Sequence, residues 1–244
     1  MIRLVIIVIF LVVFFLFSIP MFGIEWIIGK INKRAKDISS LRIVQWAFKV
    51  ILFLSGVRTK VIGLENIPKD EPVLFVGNHK SNFDIIISYA KMPNLTGFVA
   101  KKEIEKIPLL RTWMRYLYCL FLDRKDIKEG LKTILKGIDQ IKHGISMVIF
   151  PEGSRNSFED GMRPFKEGSL KLAEKSGCKI IPMVQNNTQE IMETHSPRIK
   201  RTRTVLEFGE PIDLKELSAE DRKFAGAYIQ KIIEAKYMEN KKLL

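Results

Sequence analysis

The chain changes its hydrophobic rhythm near residue 57. Leu4 to Phe17 is a run of fourteen consecutive apolar residues, and apolar character carries on through Ile19, Met21, Phe22, Ile24, Trp26 and Ile28. Ser18, Pro20, Gly23 and Glu25 interrupt it. A helix over the first run covers about 21 Å, short of the roughly 30 Å hydrocarbon core of a bilayer. Met21 and Phe22 crowd the place where a signal peptidase needs small residues, and Arg3 is a thin positive flank. A retained segment is therefore expected rather than a cleaved leader. Lys30, Lys33, Arg34 and Lys36 predict a basic connecting loop, and Ser39-Ser40 offer a helix cap. From Leu41 to Val57 the polar positions Arg42, Gln45 and Lys49 fall three and four apart, one narrow stripe on an otherwise apolar helix. Such a helix suits the plane of a membrane interface, its stripe toward headgroups and Trp46 at the boundary. A core helix of the following domain is the alternative. The expected picture for residues 1–57 is a membrane-embedded two-helix hairpin. A full span by residues 4–28 stays open, and its basic flank would leave the body of the protein in the cytoplasm.

From Arg58 onward short apolar runs appear at 73–77, 96–100, 118–122, 146–150, 180–184 and 204–208. Helical periodicity fills 127–142, 164–176 and 214–237. Strands alternating with helices predict an α/β domain over residues 58–244, with a mixed, partly parallel sheet flanked by helices. The tail beyond Lys231 reads as a basic, frayed helix end.

Charge narrows the partners. There are 40 Lys+Arg against 27 Asp+Glu, a formal net charge of +13. Such a surface attracts nucleic acid, anionic headgroups or a phosphorylated substrate. The basic run Arg198 to Arg203 lacks the interleaved aromatics of a nucleic-acid motif, so no nucleic-acid partner is expected. Cys119 and Cys178 read as buried thiols in a reducing compartment. His143 and His195 have no close Cys or His partner, so no metal site is expected. G-x-S-x-G, G-x-G-x-x-G and P-loop patterns are absent.

Candidate chemistry follows the ends of the predicted strands. Gly77-Asn78-His79-Lys80-Ser81-Asn82-Phe83-Asp84 leads from a strand into an apolar helix. With His79 in the loop and Ser81 or Asn82 capping, Asp84 falls in the first turn and can reach one imidazole nitrogen. The other nitrogen is then available as a general base. A loop histidine bonded to backbone, with an aspartate serving only the helix dipole, is the plainer reading. Phe150-Pro151-Glu152-Gly153-Ser154-Arg155 leaves another strand. Gly153 permits a sharp turn, Arg155 offers a fork for phosphate, and Glu152 either orients Arg155 or stays exposed. Lys101-Lys102 and Asp123-Arg124 follow two more strands. Alone each is an ordinary surface pair; together they place cations after four different strands.

In this order the blocks resemble the 1-acyl-sn-glycerol-3-phosphate acyltransferase family, over roughly residues 58–215. His79 to Asp84 matches its H-x4-D block, Lys101 to Pro108 its second, Phe150 to Arg155 its F-P-E-G-[ST]-R block and Ile181-Pro182 its fourth. The resemblance implies His79 as base and Asp84 as its partner. It implies Lys101 and Arg155 as ligands of the substrate phosphate, with Arg124 and Lys102 beside them and Asn78, Ser81, Glu152, Gly153 and Ser154 in support. The implied reaction moves an acyl group from acyl-CoA or acyl carrier protein, a co-substrate rather than a cofactor, to lysophosphatidate, giving phosphatidate. A seat on the cytoplasmic leaflet of a membrane goes with it. Arg111 and Tyr118 depart from the pattern, both standing where a glycine is usual. They leave glycerol-3-phosphate or another lysophospholipid open as acceptor. A non-catalytic lipid-binding protein and a membrane-tethered nucleic-acid binder are the readings from other classes.

Overall fold

The computed structural model describes residues 1–156 and 161–244. Two long helices, α1 (Ile2–Ile31) and α2 (Lys33–Ser55), pack against each other. After them come β1 (Arg58–Ile62), β2 (Leu74–Gly77), α3 (Phe83–Tyr89), β3 (Thr96–Lys101), α4 (Pro108–Tyr116) and β4 (Leu120–Leu122). The remainder is α5 (Ile127–Lys142), β5 (Ser146–Ile149), α6 (Lys171–Ser176), β6 (Ile180–Asn186), β7 (Arg203–Phe208), α7 (Ala219–Lys223) and α8 (Ala225–Asn240).

The sheet runs β1-β7-β6-β2-β5-β3-β4. The five strands from β6 to β4 are parallel; β7 is antiparallel to β6, and β1 pairs parallel with β7. All six runs read as strands from the sequence are present, and the sheet is mixed as expected. β1 opens with the polar Arg58, Thr59 and Lys60 and has only Val61 and Ile62 as apolar positions, so its pattern is too weak to read without its partner β7. Alternation along the strands sorts the core into two layers. Phe75, Phe98, Val148 and Ile181 face α1 to α4, whereas Leu74, Val76, Met147 and Ile149 face α5, α6 and α8. The parallel strands therefore aim their carboxyl ends at one edge, where the loops meet.

The hairpin differs from the expected one in its connection and its footing. Only Asn32 separates the helices, so Lys30 ends α1 while Lys33, Arg34 and Lys36 open α2. The Asn32 side chain accepts from Ala35 N at 3.0 Å and is the cap. Ser39 and Ser40 lie inside α2, because a better acceptor than a helix end is available. Buried Glu25 on α1 takes both hydroxyls, at 2.6 and 2.9 Å. Gln45, expected toward headgroups, is buried and donates to Tyr89 O and Met92 O beyond α3. Leu41, Val44, Ala47 and Ile51 are buried as well and belong to the domain core, whereas Trp46 is exposed. α2 thus packs one face into the domain core, as the alternative sequence reading had it, and leaves Trp46 on the outward one.

α1 is held by its middle. Phe14 and Phe22 pack on Trp113 of α4, whose indole N–H donates to Ser18 Oγ at 2.8 Å. Tyr118, one of the two departures from the family pattern, has φ +60°, a backbone that favours glycine. Its hydroxyl donates to buried Asp37 of α2 at 2.6 Å, a tie that glycine could not make. Glu25→Ala strands two hydroxyls at this helix interface. It is expected to cost about 2–4 kcal/mol, read as a lower thermal midpoint.

At the other end, the helix read over 214–237 starts at Ala219, breaks at Phe224 and resumes to Asn240. The tail is docked rather than frayed. Tyr237 is buried, its carbonyl accepts from Asn186 Nδ2 at 2.8 Å, and Asn240 Nδ2 donates to Glu207 at 2.7 Å.

Candidate active site

β2 ends in Gly77 and hands the chain to Asn78, whose side-chain amide pairs with the backbone of Gln185 on β6 in both directions, each at 2.8 Å. That clamp fixes the start of the loop. Asp84 lies in the first turn of α3 and is fully buried. Its Oδ2 accepts from His79 Nδ1 at 2.9 Å, from Lys80 N at 2.7 Å and from Ser81 N at 2.8 Å. An oxygen facing two backbone N–H groups can only accept from the imidazole as well, so Nδ1 carries the proton. Nε2 is then the basic nitrogen, and it has no hydrogen-bond partner among the described residues. The ring is stacked on Phe150 at 4.4 Å between centroids, 15° apart, and its side chain is 14% exposed. An apolar wall on one side and a carboxylate behind leave one direction of approach.

Glu152 corrects the sequence reading. It neither orients Arg155 nor lies exposed: it is buried, and accepts from His79 N at 2.7 Å and Arg163 N at 3.0 Å. Two backbone donors from two loops outcompete a flexible guanidinium for a carboxylate already out of water. Burial raises its pKa, and the N–H groups of Arg163 and His79 offset part of that rise. Asn156 N adds a bond to His79 O at 2.7 Å, so the β5 loop holds the histidine backbone from both sides. Gly153 makes the turn at φ +76°.

The cations fall into four settings. Arg124 donates to Gly153 O, joining the β4 and β5 ends. Arg124, Glu152, Gly153, Ser154, Arg163 and Lys166 line, with Pro164, a cavity of about 480 Å³. Lys102 is tied to Asp123 at 2.9 Å, and that ammonium, with the N–H of Lys125, holds the Asp123 carboxyl down at about 2. Its charge is therefore already matched, unlike a dedicated phosphate ligand. Lys101 closes β3 as an exposed side chain outside that lining. Arg155 leaves the cavity altogether and pairs with Glu193 at 3.2 Å. The same carboxylate accepts from Ser81 Oγ at 2.6 Å and Asn82 N at 2.9 Å, which brings Arg155 to the histidine loop.

Sequence spacing missed Arg163, Lys166, Thr188 and Glu193. The first two follow the F-P-E-G-S-R block by eight and eleven residues, a basic pair inside an unpatterned stretch. Thr188 and Glu193 follow β6, more than a hundred residues from His79, where only pairing of β6 with β2 brings them close. Cys119 and Cys178 are free thiols, as read. Burial pushes Cys119 up to about 12.

Known proteins share this fold. The crystal structure of the 1-acyl-sn-glycerophosphate acyltransferase of Thermotoga maritima superposes with a TM-score of 0.78, at 24% identity, over 98% of each chain, hairpin included. A 1-acyl-sn-glycerol-3-phosphate acyltransferase of Borreliella burgdorferi is 34% identical over 149 residues, 61% of this chain and 59% of that protein. Its counterpart in Saccharomyces cerevisiae is 29% identical over 188 residues, 74% of this chain and 62% of that one. The chain thus spans about three fifths of the length of the Borreliella and Saccharomyces relatives. The sequence profile of the family described as acyltransferase matches residues 58–186. That stretch runs from β1 to the end of β6 and takes in both loops around His79, more than half of the chain, so the protein belongs to the acyltransferase family.

Proposed function

We propose that the protein transfers a fatty acyl group from acyl-CoA or acyl carrier protein to the 2-hydroxyl of 1-acyl-glycerol-3-phosphate, forming phosphatidate. The observation that carries this reading is the His79–Asp84 pair, its basic nitrogen unpartnered, beside a cationic cavity at the strand ends. His79 Nε2 takes the proton of the acceptor hydroxyl as that oxygen bonds to the thioester carbon. The tetrahedral adduct then collapses, the carbon–sulfur bond breaks, and the thiolate leaves with the proton from the imidazolium. Asp84 stabilises the charged imidazole between the two steps. Neither Ser81 nor Cys119 is set to form a covalent acyl-enzyme. Ser81 Oγ is engaged by Glu193 and Phe83 N, and Cys119 stays a thiol at neutral pH.

The hairpin supports a membrane seat on the cytoplasmic leaflet. Ile2, Ile6, Ile9, Val13, Phe17 and Ile24 of α1 are exposed, while Ile7, Phe14, Ser18 and Glu25 turn inward. A helix packed on α2 and fastened by its middle to α4 suits lying in one leaflet better than crossing the bilayer as a bare span. Lys30, Lys33, Arg34 and Lys36 cluster at its turn, where anionic headgroups would meet them. The substrate's acyl chain can then stay in lipid, which avoids about 0.8 kcal/mol per CH2 of exposure to water.

The test is purified protein with radiolabelled acyl-CoA and a panel of acceptors. Lysophosphatidate is expected to be labelled and its phosphate-free monoacylglycerol analogue not. Arg124→Ala, in the wall of the cationic cavity, is expected to raise the KM for lysophosphatidate about 10- to 100-fold, the size of one or two charge-assisted hydrogen bonds, with little change in donor KM. Equal labelling of the phosphate-free acceptor would overturn the assignment.

A further inference from the structure

One group holds Asp84 that the reaction as derived so far does not use. Thr188 lies just past the end of β6, fully buried, and its hydroxyl donates to Asp84 Oδ1 at 2.5 Å. Asn187 before it takes φ +66°, and its side-chain amide donates to Arg203 O at 2.8 Å. That turn aims residue 188 back toward α3. The three donors on Oδ2 come from the histidine's own loop and would follow any movement of it. Among the described residues Thr188 is the one donor to this carboxylate from another part of the chain, and it sits on the opposite oxygen. With one oxygen anchored by β6, the carboxylate cannot swing about its Cβ–Cγ bond. Its Oδ2 stays in line with the imidazole N–H.

We infer that Thr188 is a positioning residue of the acyl-transfer site, acting through Asp84 on the orientation of His79. The inference rests on the function proposed above. A hydroxyl donor also draws charge from the carboxylate, so it sets how strongly Asp84 pulls on the Nδ1 proton as well as where it stands. Serine can do the same; valine fills the same volume and cannot.

The experiment compares Thr188→Val, Thr188→Ser and the parent protein. Thr188→Val is expected to lower kcat about 10- to 100-fold, the scale of one hydrogen bond to a charged group, while both KM values stay within about twofold. Thr188→Ser is expected to restore most of the rate. Independently of turnover, the downfield imidazole N–H proton of His79, assigned by its loss in His79→Ala, is expected to shift in the valine variant and not in the serine one. A valine variant with parental kcat and an unmoved N–H resonance overturns the inference. So does a serine variant as impaired as valine, which would mark a packing role. Parent protein that transfers no acyl group would instead reject the underlying reaction, and the resonance would still decide whether Thr188 governs the His79–Asp84 bond.

Discussion

His79→Ala is expected to lower kcat by about 10²- to 10⁴-fold, the usual contribution of a positioned general base, with substrate KM values nearly unchanged. The two substitutions at Asp84 should separate charge from geometry. In Asp84→Asn the amide oxygen can stay toward the three donors, His79 Nδ1, Lys80 N and Ser81 N. The new NH2 then faces Thr188, whose hydroxyl can turn from donor to acceptor. The loop keeps its shape and His79 keeps its tautomer, so what is lost is the negative charge behind the developing imidazolium. About 10²-fold in kcat is expected, at nearly parental thermal stability. Asp84→Ala is a different experiment. It leaves four donors without an acceptor, the Thr188 hydroxyl included, at about 1–3 kcal/mol for each buried one, and is expected to unfold the loop as well as stop turnover. An asparagine variant as unstable as alanine would mean that the carboxylate is chiefly structural. Full turnover in His79→Ala would reject the base altogether.

The second large effect concerns the membrane. Replacing Ile9, Val13 and Phe17 together by glutamate is expected to release the protein from vesicles. Each side chain that no longer enters lipid forfeits about 1.5–3 kcal/mol, so three of them reduce partitioning by at least 10³-fold. These three side chains are exposed on the outer face of α1, away from Phe14, Ser18 and Glu25, so the fold should survive. The same variant is expected to lose activity on long-chain lysophosphatidate embedded in vesicles. It should keep activity on a short-chain acceptor dissolved as monomer. Sedimentation with vesicles at the parental level would contradict the membrane seat. Deleting residues 1–57 is a poorer test, because Leu41, Val44, Ala47 and Ile51 of α2 complete the domain core. Their removal would expose one face of the sheet layer and confound folding with membrane binding.

Much of the site was legible in the chain because its parts are local. His79 and Asp84 are five residues apart, and a strand end followed by a helix start is enough to bring an imidazole and a carboxylate together. Gly153 at a strand end announced its turn, and φ +76° is what glycine is there for. The strands from β2 to β7 were readable because each is a short apolar run, and β1 was not because its first three residues are polar. Glu152 misled for a physical reason. A carboxylate three residues before an arginine reads as its partner, yet two backbone N–H groups that only the folded loops supply captured it. Ser39-Ser40 misled in the same way: their acceptor, Glu25, is one helix away.

The amino-acid sequence by itself determined the class of the protein: a greasy hairpin before an α/β sheet, with a histidine–aspartate loop and basic residues after successive strands. These follow from periodicity and short-range chain geometry, which act within a turn or two. Tertiary structure alone decided which charges meet. Crossing of β6 beside β2 delivers Thr188 to Asp84 and Glu193 to Arg155, while the meeting of the β4 and β5 ends forms the cavity. Contacts across a hundred residues are selected by the packing of the sheet as a whole, and a local pattern carries no record of them.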